Sequence, residues 1–162
     1  MATAAHREAG HTPADVPSGK GRRFALVVSR WNIEITDALR QGAYDTLVQH
    51  GVDPADIVQE WVPGSFELPA GAQFLLARGG LDGVICLGSV VRGETPHFDY
   101  VCQGVTQGVM AVGLKYGVPV IFGVLTDDTM DQARARSGGA LGNKGVDCAE
   151  AVLHMAALKA RC

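Results

Sequence analysis

Four short apolar runs, each followed by a stretch with helical spacing, constrain this chain more than any other feature. The runs are FALVV (24–28), IVQEWV (57–62), GVICLG (83–88) and PVIFGVL (119–125). After the first, Thr36 reads as an N-cap, with Leu39, Ala43 and Leu47 at i, i+4 spacing and Gly51 as the stop. Pro63-Gly64 breaks the second run before a helix over roughly 67–78. A long helix over 97–115 ends at Gly117, and Thr126-Asp127 opens another near 128–137. A last helix over 144–160 has Val146, Ala149, Val152, Leu153 and Ala156 on its apolar side. Parallel strands need crossovers, so strand–helix alternation predicts an α/β fold: a three-layer α/β/α sandwich around a four-stranded parallel sheet.

At 162 residues, 47% of them hydrophobic and 19% charged, the chain has enough apolar material for one core and fits one domain. Residues 1–22 lack periodicity and read as a flexible arm that could add to a neighbouring subunit; residues 23–162 form the single domain. His6 and His11 of the arm read as solvated. A net charge of −3 argues against a general nucleic-acid binder. No apolar run reaches the ~18 residues of a membrane span. The first residues carry no apolar signal region, so a cytoplasmic enzyme or binding protein is expected. Cys86, Cys102, Cys148 and Cys162 form no CxxC and have no His at ligand spacing, so free thiols are expected rather than a metal site.

In parallel sheets ligands bind beyond the carboxyl ends of the strands, and the unusual residues fall there. Ser29-Arg30-Trp31-Asn32 follows the first run, Pro63-Gly64-Ser65-Phe66-Glu67-Leu68-Pro69 the second, and a segment from Gly88 through Ser89, Val90, Val91, Arg92, Gly93, Glu94, Thr95 and Pro96 to His97 the third. Phe122 lies in the fourth run, with Arg136 and Lys144 beyond it. Each has two readings. Trp31 either plugs the sheet edge or stacks on a ligand. Glu67 either complements a helix dipole or binds a ligand. His97, in the company of Arg92, Glu94 and Thr95, is either a neutral structural histidine or a catalytic one. Arg136 and Lys144 are either solvated helix charges, the usual fate of isolated cations, or part of the site. His50 and His154 sit away from the strand ends and read as structural.

The stretch Gly138-Gly139-Ala140-Leu141-Gly142-Asn143-Lys144-Gly145 resembles a phosphate loop only superficially. Its glycine spacing is wrong, and Gly145 stands where Ser or Thr would bind magnesium. No G-x-G-x-x-G follows the first run, so a dinucleotide site has no support.

The segments VPGSFELP (62–69), LGSVVRGETPHFDYV (87–101), PVIFGVLT (119–126) and GNKGVDCAEA (142–151) closely resemble the 6,7-dimethyl-8-ribityllumazine synthase family. The resemblance covers about residues 24–158 and implies a flavodoxin-like sheet. It implies condensation of 5-amino-6-(D-ribitylamino)uracil with 3,4-dihydroxy-2-butanone 4-phosphate, the penultimate step of riboflavin biosynthesis, without cofactor or metal. By resemblance Trp31, with Asn32 beside it, meets the pyrimidine; Ser65, Phe66 and Glu67 hold the ribityl chain. Backbone groups of Ser89, Val90 and Val91 read the uracil edge. Phe122 and Lys144 complete the pyrimidine and ribityl subsite, Phe122 from the adjacent subunit. Glu94 (through its backbone), Thr95 and Arg136 hold the phosphate, and His97 transfers protons.

The resemblance further implies a homopentamer with sites between subunits. The short glycine-rich link from Ser137 to Gly142 favours the icosahedral cages that some members form, and association with a riboflavin synthase is a further implied partnership. Two rival readings stay open at this point: a flavin- or lumazine-binding module without catalysis, and a related riboflavin synthase that dismutates two lumazines.

Overall fold

A computed structural model describes residues 16–162. The strands β1 (Phe24–Ser29), β2 (Ile57–Val62), β3 (Gly83–Val91) and β4 (Val120–Asp127) form one parallel sheet in the order β2-β1-β3-β4. The order reverses between β1 and β3, which opens a crevice beyond their carboxyl ends. Helices α1 (Ile33–Gln49), α2 (Leu68–Leu76), α3 (His97–Tyr116), α4 (Met130–Arg136) and α5 (Lys144–Lys159) supply the outer layers. This is the expected three-layer, flavodoxin-like α/β/α fold.

Each face of the sheet carries its own core. Phe24, Leu26 and Ile85 pack with Ile35, Leu39, Leu47, Val152 and Leu153 of α1 and α5. Val27, Val84 and Cys86 pack with Leu68, Leu75, Val105 and Val109 of α2 and α3. The side chains of β1 alternate between the two cores, and all six of its residues are buried. Helices α1 and α5 approach very closely: a Cβ on Gly145 would run into the Leu39 carbonyl, and one on Gly42 would meet the Asn143 amide. Glycine at both positions is therefore a packing requirement.

Several boundaries differ from the sequence reading, each for a local reason. Thr36 is not the N-cap of α1; the helix begins after Asn32, whose backbone is left-handed at φ 57°, ψ 49°. The Thr36 hydroxyl instead donates to the buried Ser29 carbonyl at 2.7 Å. β3 extends to Val91, because its ladder with β4 continues to the pair Val91–Asp127. Ser89, Val90 and Val91 are thus strand residues, and Thr126-Asp127 ends a strand rather than opening a helix. Thr129 caps α4, accepting from the Gln132 amide at 3.3 Å. A turn of 3-10 helix, Ser65–Glu67, precedes α2. The glycine-rich link contains a small antiparallel pair, β5 (Ser137–Gly139) and β6 (Gly142–Asn143). On α5, Cys148 rather than Val146 joins the core.

Part of the stretch read as a flexible arm is docked. The Gly19 amide donates to the His50 carbonyl at 2.8 Å, and Arg22 Nη1 donates to the Ala156 carbonyl at 3.1 Å. Val16 packs against the α1/α5 core. His6 and His11 lie outside the described residues. Among the described residues, no helix is long and apolar enough to cross a membrane.

Candidate active site

The crevice at the reversal point is a cleft of about 680 Å³, within the range of small-molecule sites. Three chain segments build it. After β1, the Arg30 and Trp31 amides donate to the Val62 and Pro63 carbonyls at 2.9 and 3.2 Å, which carries the β1–β2 pairing past the strand ends. Trp31 is thereby held at the mouth with 72% of its surface exposed. An indole left this open on a rigid backbone is not a core plug; it is a free π-face.

After β2, the Gly64 amide donates to Glu67 Oε2 at 2.9 Å, fixing one carboxylate oxygen and leaving Oε1 without a partner among the described residues. Beneath them Ser65 is buried with no hydrogen-bond partner for its hydroxyl. A Cβ on Gly88 would collide with that hydroxyl, so Gly88 is what lets the loop settle onto β3.

After β3, the Arg92 amide donates to the Asp127 carbonyl at 2.9 Å. The Arg92 guanidinium donates to Asp128 at 2.8 Å and Asp99 at 3.3 Å, and stacks 4.2 Å from the centre of the Phe98 ring. This bracing spans the Gly93–Pro96 loop and sets the start of α3, where His97 is the first helical residue and faces the cleft. At the end of β4, Asp127 is buried 3.5 Å from Arg136 Nε. Burial raises its pKa, opposed by Arg136 and reinforced by Asp128. The buried thiols of Cys86 and Cys148 are both pushed up to about 12 by desolvation. Among the described residues, no group of three or more His, Cys, Asp or Glu could hold a metal ion.

The family model for 6,7-dimethyl-8-ribityllumazine synthase matches residues 21–160. A relative of that name from Salinibacter ruber is 56% identical over 85% of this chain and 88% of its own length. Relatives of the same name from Porphyromonas gingivalis and Lactiplantibacillus plantarum are each 49% identical, covering 98% and 84% of this chain and 99% and 86% of their own lengths.

The chain belongs to the lumazine synthase family. It is an enzyme of the transferase type, and its family acts in riboflavin biosynthesis.

Of the residues singled out in the sequence, Trp31, Phe66, Glu67, Val90, Val91, Thr95 and His97 line the cleft together. Asn32 lies behind this lining, where its Nδ2 donates to the Ser89 carbonyl at 3.1 Å. Ser65 and Ser89 are buried beneath it. Glu94 is exposed on the loop and outside the lining. Phe122, Arg136 and Lys144 also stand outside it; Lys144 lies 3.8 Å from Asp147 in its own helix. The cleft adds Pro63, Gly64, Gly93, Phe98, Tyr100 and Val101 as lining. For Tyr100 and Val101 the signal was present in the sequence, because i+3 and i+4 from His97 fall on the same helix face.

Proposed function

We propose that the cleft condenses 5-amino-6-(D-ribitylamino)uracil with 3,4-dihydroxy-2-butanone 4-phosphate to give 6,7-dimethyl-8-ribityllumazine, phosphate and water. The observation that carries this reading is the convergence of an exposed indole, a half-satisfied carboxylate and an imidazole on one 680 Å³ cleft from three separate strand ends.

Trp31 offers its face to the pyrimidine ring, and Glu67 Oε1 accepts hydrogen bonds from ribityl hydroxyls. The Ser65 hydroxyl, buried without a partner, supplies a further polar group for that chain. Backbone groups of Ser89, Val90 and Val91 at the end of β3 read the uracil edge. Thr95, the Glu94 amide and Arg136 take the phosphate, for which a planar guanidinium is well suited. The 5-amino group attacks the ketone and the carbinolamine loses water to an imine. Phosphate is then eliminated to leave an enol that tautomerises to a ketone, and the 6-ribitylamino nitrogen attacks that ketone and loses a second water to close the ring. His97 accepts and returns protons through these steps, since an imidazole works in both directions near neutral pH. Holding both substrates side by side supplies much of the remaining acceleration.

The active unit is a homo-oligomer, a pentamer at least, in which Phe122, Lys144 and Arg136 of one subunit complete the cleft of the next. Their position outside the cleft of their own chain supports this arrangement. The cytoplasm is the compartment for such a reaction, and a riboflavin synthase that consumes the product is the natural associate. Mixing the purified protein with both substrates and following lumazine fluorescence tests the assignment. Product formation with stoichiometric phosphate release supports it. Binding without turnover, or turnover of lumazine alone, would replace it with a carrier or a riboflavin synthase.

A further inference from the structure

Asp127 ends β4 at the edge of the sheet where substrates bind, yet it is only 7% exposed. Its Oδ1 lies 3.5 Å from Arg136 Nε, while Oδ2 is buried with no hydrogen-bond partner. An ionised carboxylate ordinarily accepts several hydrogen bonds, so this one is poorly compensated. The other charges around it do little to relieve it. Asp128, next in the chain, is a second anion. Arg92 gives Asp127 only a backbone contact, its guanidinium being taken by Asp128 and Asp99. Among the described residues Arg136 is therefore the cation that faces this carboxylate. Its side chain is 38% exposed, and its Nη atoms make no hydrogen bond within the described residues. The guanidinium meets this carboxylate at Nε, which leaves its two Nη atoms for another anion.

We propose that Asp127 is the resident counter-ion of Arg136 and, acting through it, sets how tightly the enzyme holds phosphate groups. This rests on the reading of Arg136 as the phosphate ligand. With the site empty, Asp127 neutralises the guanidinium. When a phosphate arrives, two anions share one cation, and the buried carboxylate either gives up part of its partner or takes up a proton. Phosphate enters the site on the four-carbon substrate and leaves as free product. A resident anion keeps the clamp from retaining that product.

The test uses the full-length assembled enzyme, with inorganic phosphate as a competitive inhibitor against the four-carbon substrate. Asp127→Asn should lower the phosphate inhibition constant about threefold to tenfold at pH 8, the scale of one partly screened charge. The KM for the pyrimidine should not move with it. The ratio of variant to wild type should shrink as pH falls, because protonated Asp127 no longer competes; the second ionisation of phosphate cancels in that ratio. Asp127→Ala serves as the second variant with the same expectation, since neither oxygen it removes holds another element in place by a hydrogen bond. A phosphate inhibition constant that is unchanged or higher in these variants would overturn the proposal. Arg136→Gln separates the two readings. If it abolishes phosphate inhibition while the Asp127 variants are silent, only the counter-ion role fails. If phosphate inhibition survives Arg136→Gln, the phosphate assignment itself fails.

Discussion

Asn32 Nδ2 donates to the Ser89 carbonyl at 3.1 Å from a left-handed backbone, tying the turn after β1 to the carboxyl-terminal part of β3 across the reversal point of the sheet. It is the only non-glycine residue with positive φ among the described residues. Asparagine tolerates this conformation better than other side chains. The same residue thus turns the chain into α1 and sets the floor of the cleft. Asn32→Ala should destabilise the fold by about 1–3 kcal/mol, combining backbone strain with a lost hydrogen bond. Asn32→Gly should recover the backbone share alone. Urea unfolding of the two variants checks this, and an alanine variant as stable as wild type would contradict it.

His97 opens α3, whose first turn Arg92 braces through Asp99 and the Phe98 ring, and it lines the cleft. His97→Ala should lower kcat by about tenfold to 10²-fold, the low end of acid–base contributions, because substrate orientation survives the change. Steady-state rates with both substrates near neutral pH give the answer. An unchanged kcat would remove His97 from the proton-transfer steps.

Arg136→Ser should act on one substrate. The KM for the butanone phosphate should rise about tenfold or more, as expected for loss of a charge-assisted contact, with the pyrimidine KM nearly constant. Substrate-saturation curves for each partner separate the two. Weakened pyrimidine binding with normal use of the phosphate substrate would contradict the assignment.

The layer order and the cleft were legible in the sequence because both depend on periodicity and punctuation. The apolar runs mark strands, Pro63-Gly64 and Gly117 mark breaks, and the odd residues cluster after the strands. What stayed hidden were features fixed by partners distant in sequence. β3 reaches Val91 only because β4 is there to pair with it. Thr36 looks like a cap until the Ser29 carbonyl claims its hydroxyl. The burial of Asp127 follows from its being the last residue of β4, two residues beyond the apolar run PVIFGVL that marks the strand in the sequence.

The buried thiols give stability a pH dependence of known sign. Cys86 and Cys148 titrate near 12 in the folded protein and near ~8.5 in an unfolded chain. Between those values the native state holds more protons than the unfolded state, so stability is intact below about pH 8.5 and falls as pH rises toward 12, by up to ~1.4 kcal/mol per pH unit per thiol. Unfolding midpoints from pH 8 to 10.5 should show the decline, and Cys86→Ala together with Cys148→Ala should make it shallower. A decline of the same slope in that double variant would assign it to other groups.

Assembly is the remaining prediction, and it couples packing to chemistry. Phe74 on α2 and Met110 and Leu114 on α3 are 66%, 64% and 76% exposed, large apolar side chains on the two helices that share one face of the sheet. Met110 and Leu114 are four residues apart on one helical face, where a subunit contact would cover both. Sedimentation velocity at near-neutral pH should show a pentamer or a larger closed shell. The short link through Gly138 and Gly142, both at positive φ, makes a tight turn. A species of pentamer size alone would exclude the shell. Replacing Met110 and Leu114 together by Glu should break the assembly by placing like charges at each contact. Activity should be lost in step with mass, because Phe122 and Arg136 lie outside the cleft of their own chain. A dissociated monomer that retained full activity would show that each cleft is complete without its neighbour.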